Sequence, residues 1–237
     1  MATQDAQIAS RLRENLAAVR DRVSVAAART GRSTPPRIIG VTKYVEPAVA
    51  RLLVQAGLSE LGESRPQELW RKAESLGDLP VRWHLIGHLQ RNKVRRTLPL
   101  AHCIHSADSL RLLEEIHREA AAQDRTAKVL LEVNVSGDAA KTGLPPGEVE
   151  PLLPAIAQLP NVSVQGLMTM AALEGSPDQT RREFAALRDL RDRLAANCPP
   201  TIQLNELSMG MSGDYEIAIE EGATMVRIGS ALFEGVS

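Results

Sequence analysis

The stretch 37–64, R-I-I-G-V-T-K-Y-V-E-P-A-V-A-R-L-L-V-Q-A-G-L-S-E-L-G-E-S, holds one complete strand–helix–strand unit. Residues 38–42 form a short, β-branched apolar run of the kind a fully buried strand needs. Pro47 suits the first turn of a helix over 47–56, Gly57 stands just past its last turn, and a second apolar run follows at 57–61. A helix between two such runs is the crossover that parallel strands require.

The unit recurs. Apolar runs at 82–86, 102–106, 129–135, 164–168, 203–207 and 224–228 raise the predicted strands to eight, each starting roughly 20–40 residues after its predecessor, as a strand plus a returning helix demands. Helices are predicted over 66–76, 89–98, 109–123, 148–158, 178–196 and 214–221, with Asp108 or Ser212 as caps and Gly222 past a last turn. Eight parallel strands with covering helices predict an α/β fold, a closed (β/α)8 (TIM) barrel, because closure removes the two edges that an open doubly wound sheet keeps. Upstream, Ile8, Leu12, Leu16, Val19, Val23 and Ala27 recur at three- and four-residue steps and mark an extra N-terminal helix that Gly31 ends. The expected organisation is one domain over 1–237, with a leading helix in 1–32 and the barrel in 37–235.

Composition limits what such a barrel binds. With 28 Lys+Arg against 29 Asp+Glu the net charge is −1, so no global positive field draws nucleic acid or an anionic membrane surface. The aromatic residues Tyr44, Trp70, Trp83, Phe184, Tyr215 and Phe233 are too few for base-stacking platforms. Cys103 and Cys198 belong to no CxxC pair, which argues against a disulfide framework and for reduced thiols. No apolar run approaches the roughly 20 residues of a membrane span, and the N-terminus has no signal-peptide pattern. The expectation is a cytoplasmic protein, monomeric for want of a spare apolar stripe.

In such barrels the chemistry collects at the carboxyl ends of the strands. The first predicted strand ends on Lys43, which desolvation in the barrel mouth could turn into a Schiff-base nucleophile. Closure brings the last strand beside it, where Gly229 and Ser230 open a short helix with free backbone N–H groups. The preceding loop, S-M-G-M-S-G-D (208–214), adds hydroxyls and glycines, and loops after the seventh and eighth strands are the usual barrel phosphate site. Arg227 places a fixed cation between them. An imine-forming lysine, a phosphate cradle and a partner for a ring nitrogen are the three contacts pyridoxal 5′-phosphate (PLP) needs.

The segments V-T-K-Y-V-E-P (41–47), H-L-I-G-H-L-Q-R-N-K (84–93), G-L-M-T-M (166–170), L-S-M-G-M-S-G-D (207–214) and V-R-I-G (226–229) resemble the pyridoxal phosphate homeostasis proteins, single-domain relatives of the alanine racemase barrel. The resemblance implies that Lys43 is the aldimine lysine, that Arg227 faces the pyridine nitrogen, and that Ser208, Gly229 and Ser230 hold the phosphate. Met209, Ser64 and His84 complete the implied cofactor contacts. Two departures stand out: G-E-S (62–64) where the family commonly has G-E-N, and Phe233-Glu234-Gly235 where it usually reads phenylalanine-glycine. The resemblance further implies a role in vitamin B6 and amino-acid balance without catalytic turnover, with apo-PLP enzymes as recipients.

Two other readings stay open. A racemase-like enzyme would need acid/base groups on both faces of the substrate, and Lys43 supplies one. A cofactor-free Schiff-base aldolase or phosphosugar isomerase would want a carboxylate near Lys43, for which Glu63 is the strand-end candidate. The His84/His88 pair lacks the glutamate of a zinc-protease helix, and His102–Cys103–Ile104–His105 is expected to be buried or satisfied, so no metal site is predicted. The basic run 90–96 reads as a solvated helix face, with Gln90, Asn92 and Lys93 as candidate rim contacts. Lys141-Thr142-Gly143 is a candidate lid, and Met168, Met170, Met209 and Met211 are candidate pocket liners.

Overall fold

The computed structural model describes residues 2–32, 34–138, 141–172 and 175–236. After helix α1 (Ala2–Arg29), strands and helices alternate: β1 (Arg37–Val41), α2 (Pro47–Gln55), β2 (Glu60–Glu63), α3 (Pro66–Ser75), β3 (Arg82–Leu85), α4 (Val94–Thr97), β4 (Ala101–Ala107) and α5 (Leu110–Ala121). The chain continues through β5 (Ala127–Glu132), α6 (Pro146–Ile156), β6 (Val162–Met168), α7 (Pro177–Ala195), β7 (Glu206–Ser208), α8 (Tyr215–Glu220) and β8 (Met225–Ile228). The strands pair in sequence order, all parallel, and β1 closes on β8 with Ile39 opposite Arg227. The predicted eight-stranded barrel is therefore the fold.

Strand alternation sorts the side chains into two cores. Residues such as Leu53, Leu61, Leu69, Leu113, Phe184 and Val226 fill the layer between sheet and helices. Inside the ring Ile39, Cys103, Leu130, Met168 and Met225 form a separate apolar cluster. Polar side chains complete the lumen, and His84, His105, Ser208 and Arg227 are all buried there.

The differences from the sequence reading have local causes. Strand β2 begins three residues later than expected because Gly57, at φ +99°, takes the left-handed position after α2, and Leu58 N–H donates to Leu53. Strand β7 likewise starts at Glu206, later than the expected 203. The helix expected over 89–98 is a 3-10 turn, Arg91–Lys93, running into the single turn of α4. Ser109, not Asp108, caps α5 by accepting from Leu112 N–H, while Asp108 accepts from His88 Nδ1 and from the Ser109 hydroxyl. Asp214, not Ser212, precedes α8.

Helix α1 buries Leu12, Leu16, Val19, Val23, Ala26 and Ala27. Its Asn15 amide donates to the carbonyls of Leu232 and Glu234, at 3.1 and 2.9 Å, and Arg32 donates to those of Gly222 and Ala223. The leading helix thus ties the start of the chain to its last elements. None of the described helices is long and apolar enough to cross a membrane.

Candidate functional site

At the carboxyl ends of the strands an open cavity of about 580 Å³ is lined by residues of β1, β8 and the loops after β2, β3 and β7. Lys43, Ser64, Arg227, Gly229 and Ser230 all line it, as do Met170, Met211 and Tyr44. The sequence brought these residues to one place from positions spread over the whole barrel. Ser208, Met209 and His84 do not line it. Ser208 and His84 lie fully buried in the lumen below, and Met209 packs in the outer apolar layer. Met168 belongs to the lumen cluster rather than to the cavity wall.

Lys43 lies two residues past the end of β1, and its side chain lines the mouth. Among the described residues its Nζ has no hydrogen-bond or ion-pair partner; it lies 4.8 Å from the ring centroid of Tyr44, which is 89% exposed. The residue before it is clamped. Lys72 Nζ donates to the Thr42 carbonyl and to Glu63 Oε1, each at 2.6 Å, and the Thr42 hydroxyl donates to the same Glu63 oxygen at 2.5 Å. This buried ion pair sits between β2 and α3, behind the strand rather than in the lumen, so Glu63 is no acid/base partner for Lys43.

Arg227 is buried in the middle of the mouth. Its Nη1 donates to Ser208 Oγ at 2.7 Å and its Nη2 to the Thr169 carbonyl at 2.8 Å. Burial lowers its pKa to about 10, against the pull of Asp214 and Glu132, so it stays cationic at neutral pH. Burial raises both of those carboxyls. Each is hydrogen-bonded: Asp214 accepts from Met211 N–H, and Glu132 accepts from the Thr142 hydroxyl at 2.7 Å. Lys141, beside it, donates to the Met170 carbonyl on the cavity rim, which places the 141–143 segment at the mouth.

The loops after β7 and β8 meet through Ser212. Its hydroxyl accepts from Gly229 N–H at 3.1 Å and from Ala231 N–H at 3.4 Å. Those two backbone donors and the hydroxyls of Ser212 and Ser230 form a compact polar corner. Gly210 makes the approach possible: at φ +90° a Cβ there would lie 2.5 Å from that of Ala218. The Ser64 carbonyl lies 2.3 Å from where a Cβ of Gly87 would stand, so the loops after β2 and β3 also pack at backbone distance. After the last strand, Phe233 lines the cavity and Glu234 turns its carbonyl to Asn15, so the extra glutamate is taken up at the surface.

Below the mouth, His105 Nδ1 lies 2.9 Å from Ser208 Oγ, His84 Nδ1 2.8 Å from His105 Nε2, and His84 Nε2 2.6 Å from Glu60 Oε2. His84, Cys103 and His105 also bring two imidazole nitrogens and a thiol within 4.8 Å of one another. The facing nitrogens already share a hydrogen bond and burial pushes the thiol up to about 12, so the trio is a satisfied interior.

Acidification should therefore destabilise the fold. Burial, helped by the charge of Arg227, holds His105 well below its ordinary 6.5. Burial alone would raise Glu60, but His84 and Arg82 outweigh it and hold that carboxyl at about 2. In both cases the unfolded chain takes up the proton first, so stability present at neutral pH falls as pH drops below about 6.5 and again below about 4.5. Thermal melts across this range should show both losses, and His105→Gln should flatten the upper one.

The alanine racemase N-terminal domain family matches residues 14–236. The pyridoxal phosphate homeostasis protein of Aquifex aeolicus is 42% identical over 221 residues, covering 93% of this chain and 96% of that protein. A crystal structure of an unknown protein from Bifidobacterium adolescentis superposes with a TM-score of 0.90 at 38% identity, covering 96% of both chains. PipY of Synechococcus elongatus, solved with PLP bound, superposes at 0.83 with 36% identity, covering 94% of this chain and 99% of that one. With these matches along nearly its whole length, the chain belongs to the pyridoxal phosphate homeostasis proteins of the alanine racemase N-terminal domain family.

Proposed function

We propose that this chain binds pyridoxal 5′-phosphate and acts in its homeostasis as a carrier rather than a catalyst. The observation that carries the reading is the sharing of one cavity by Lys43, whose amine has no hydrogen-bond or ion-pair partner among the described residues, and Arg227. The donor set fits the group: the Lys43 amine for the aldehyde, Arg227 for the ring nitrogen, and the N–H groups of Gly229 and Ala231 with the hydroxyls of Ser212 and Ser230 for the phosphate. When bound, PLP supplies an electrophilic carbon and a conjugated ring able to accept electrons.

The chain's own residues restrain that chemistry. Arg227 has only donors and stays charged, so it disfavours a proton on the ring nitrogen it faces and weakens the electron sink. Beside the Lys43 amine and the Tyr44 phenol, the lining has no carboxylate, imidazole or thiol among the described residues to move a proton. Tyr44 stacks on the Lys43 side, and Tyr215 is buried in the outer layer, so neither supplies the opposite-face acid that racemisation needs. Glu63 is held by Lys72, which removes the carboxylate the aldolase reading relied on. Val25 and Tyr44 are the exposed large apolar side chains among the described residues, which supports a monomer built as one cofactor-binding unit over 1–237.

Titrating the protein with PLP and following the near-visible absorbance after removal of free cofactor tests the binding. A retained band is expected, and a colourless protein would end this reading. Mixing loaded protein with an apo-PLP enzyme tests the recipients: activity should return faster than from free release, and equal rates would remove the delivery role.

A further inference from the structure

The lumen carries a file of hydrogen bonds from the mouth to the opposite end of the barrel: Arg227, Ser208, His105, His84 and Glu60. Four of the five are essentially inaccessible, and Glu60 reaches the rim at the other end, where Arg82 donates to its second oxygen at 2.8 Å.

Both ends of the file dictate the same direction. Arg227 can only donate, so Ser208 Oγ accepts from it. The Ser208 hydroxyl proton then has, among the described residues, His105 Nδ1 as its acceptor. A neutral His105 that accepts at Nδ1 carries its proton on Nε2 and donates to His84 Nδ1, which leaves His84 to donate from Nε2 to Glu60. Starting instead from the Glu60 carboxylate, which can only accept, the same tautomers follow in reverse order. Each interior member must therefore accept on one side and donate on the other, and none retains a spare donor.

We propose that His105 and His84 are positioning residues for Arg227: through Ser208 they fix the orientation and charge environment of the guanidinium facing the ligand in the mouth. Arg227 has two anchors, the Ser208 hydroxyl and the Thr169 carbonyl. The second is fixed by the backbone. The first has a free rotor, and a hydroxyl aimed by an acceptor presents its lone pairs in one direction, whereas an unaimed one presents either its lone pairs or its proton. A chain of hydrogen bonds in a dry interior also polarises its members, so the Glu60 carboxylate strengthens the acceptor that Arg227 meets. The proposal rests on the PLP reading only for what Arg227 faces; the aim of the guanidinium belongs to the protein alone.

Its test begins without ligand. Two-bond proton–nitrogen NMR correlations of the unaltered protein at neutral pH should show His84 and His105 both as neutral Nε2–H tautomers. An Nδ1–H form or an imidazolium at either position would overturn the proposal whatever the variants do. In His105→Phe, rotation of the Arg227 guanidinium should quicken and PLP affinity should fall, each about tenfold, the scale of one hydrogen bond to a charged group. His105→Gln, whose amide can accept from Ser208 and donate to His84, should restore both towards the original values. Cys103→Ala, a cavity in the same layer but outside the file, should lower thermal stability and move neither. Equal effects in the Phe and Gln variants, or a Phe variant with unchanged guanidinium dynamics, would also overturn it. Failure of the unaltered protein to bind PLP would instead sink the cofactor reading and leave the tautomers and the guanidinium rotation to decide this one.

Discussion

Lys43→Ala is expected to abolish covalent capture of the cofactor. In the unaltered protein, borohydride treatment after PLP loading should add the mass of one reduced pyridoxyl phosphate group to the peptide carrying Lys43. The alanine variant should show no added mass and lose the near-visible band, because no other amine lines the cavity among the described residues. Arg227 and the corner formed by Ser212, Gly229 and Ala231 stay in place, so the variant should still hold PLP reversibly. Lys141, whose Nζ lies 3.3 Å from the Met170 carbonyl on the rim, is the amine from which to judge the result. A mass addition at Lys141 that persists in Lys43→Ala would overturn the assignment of covalent capture to Lys43.

Lys72→Met carries the largest expected cost in stability. It removes the buried donor to Glu63 and to the Thr42 carbonyl, leaving a carboxylate in the layer between sheet and helices whose other oxygen already has no partner among the described residues. Breaking a buried pair from one side costs about 3–5 kcal/mol, which in a protein of this size lowers the melting temperature by roughly 6–20 °C. Combining it with Glu63→Leu removes the stranded charge and should recover most of the loss, leaving the Thr42 carbonyl with the Val45 N–H as its donor and the Thr42 hydroxyl without its Glu63 acceptor. A single substitution costing under about 1 kcal/mol would mean that water reaches the pair. Because Thr42 precedes Lys43, loosened cofactor binding should accompany the loss.

The fold was legible because the strand–helix spacing is regular and each strand is either apolar or flanked by Pro and Gly. The errors fall where lumen-facing positions are polar or small. Strand β2 reads Glu60-Leu61-Gly62-Glu63, which has no apolar run to mark it, so the signal drifted to 57–61. The mouth was legible too, since Lys43 and Arg227 stand at strand ends that barrel topology makes neighbours. The histidine file was not. Its members lie in five different strands with no motif spacing, and irregularities in pairing beside His84 and Ile104 displace the simple alternation that would have placed His84 and His105 together. The resemblance implies a phosphate contact for Ser208, but the strand carries it inward to Arg227, and Ser212 of the same S-M-G-M-S segment reaches the polar corner beside Gly229.

The β1–β8 seam has a consequence for how the molecule is made. Lys43 sits near the beginning of the chain and Arg227 near its end, and they become neighbours only when these two strands pair. Helix α1 waits for the same event, since Asn15 finds its acceptors at Leu232 and Glu234. During synthesis the site therefore cannot form until β8 has emerged, and barrel closure and site assembly are one step. A ligand that binds only the closed form would draw that step forward by mass action.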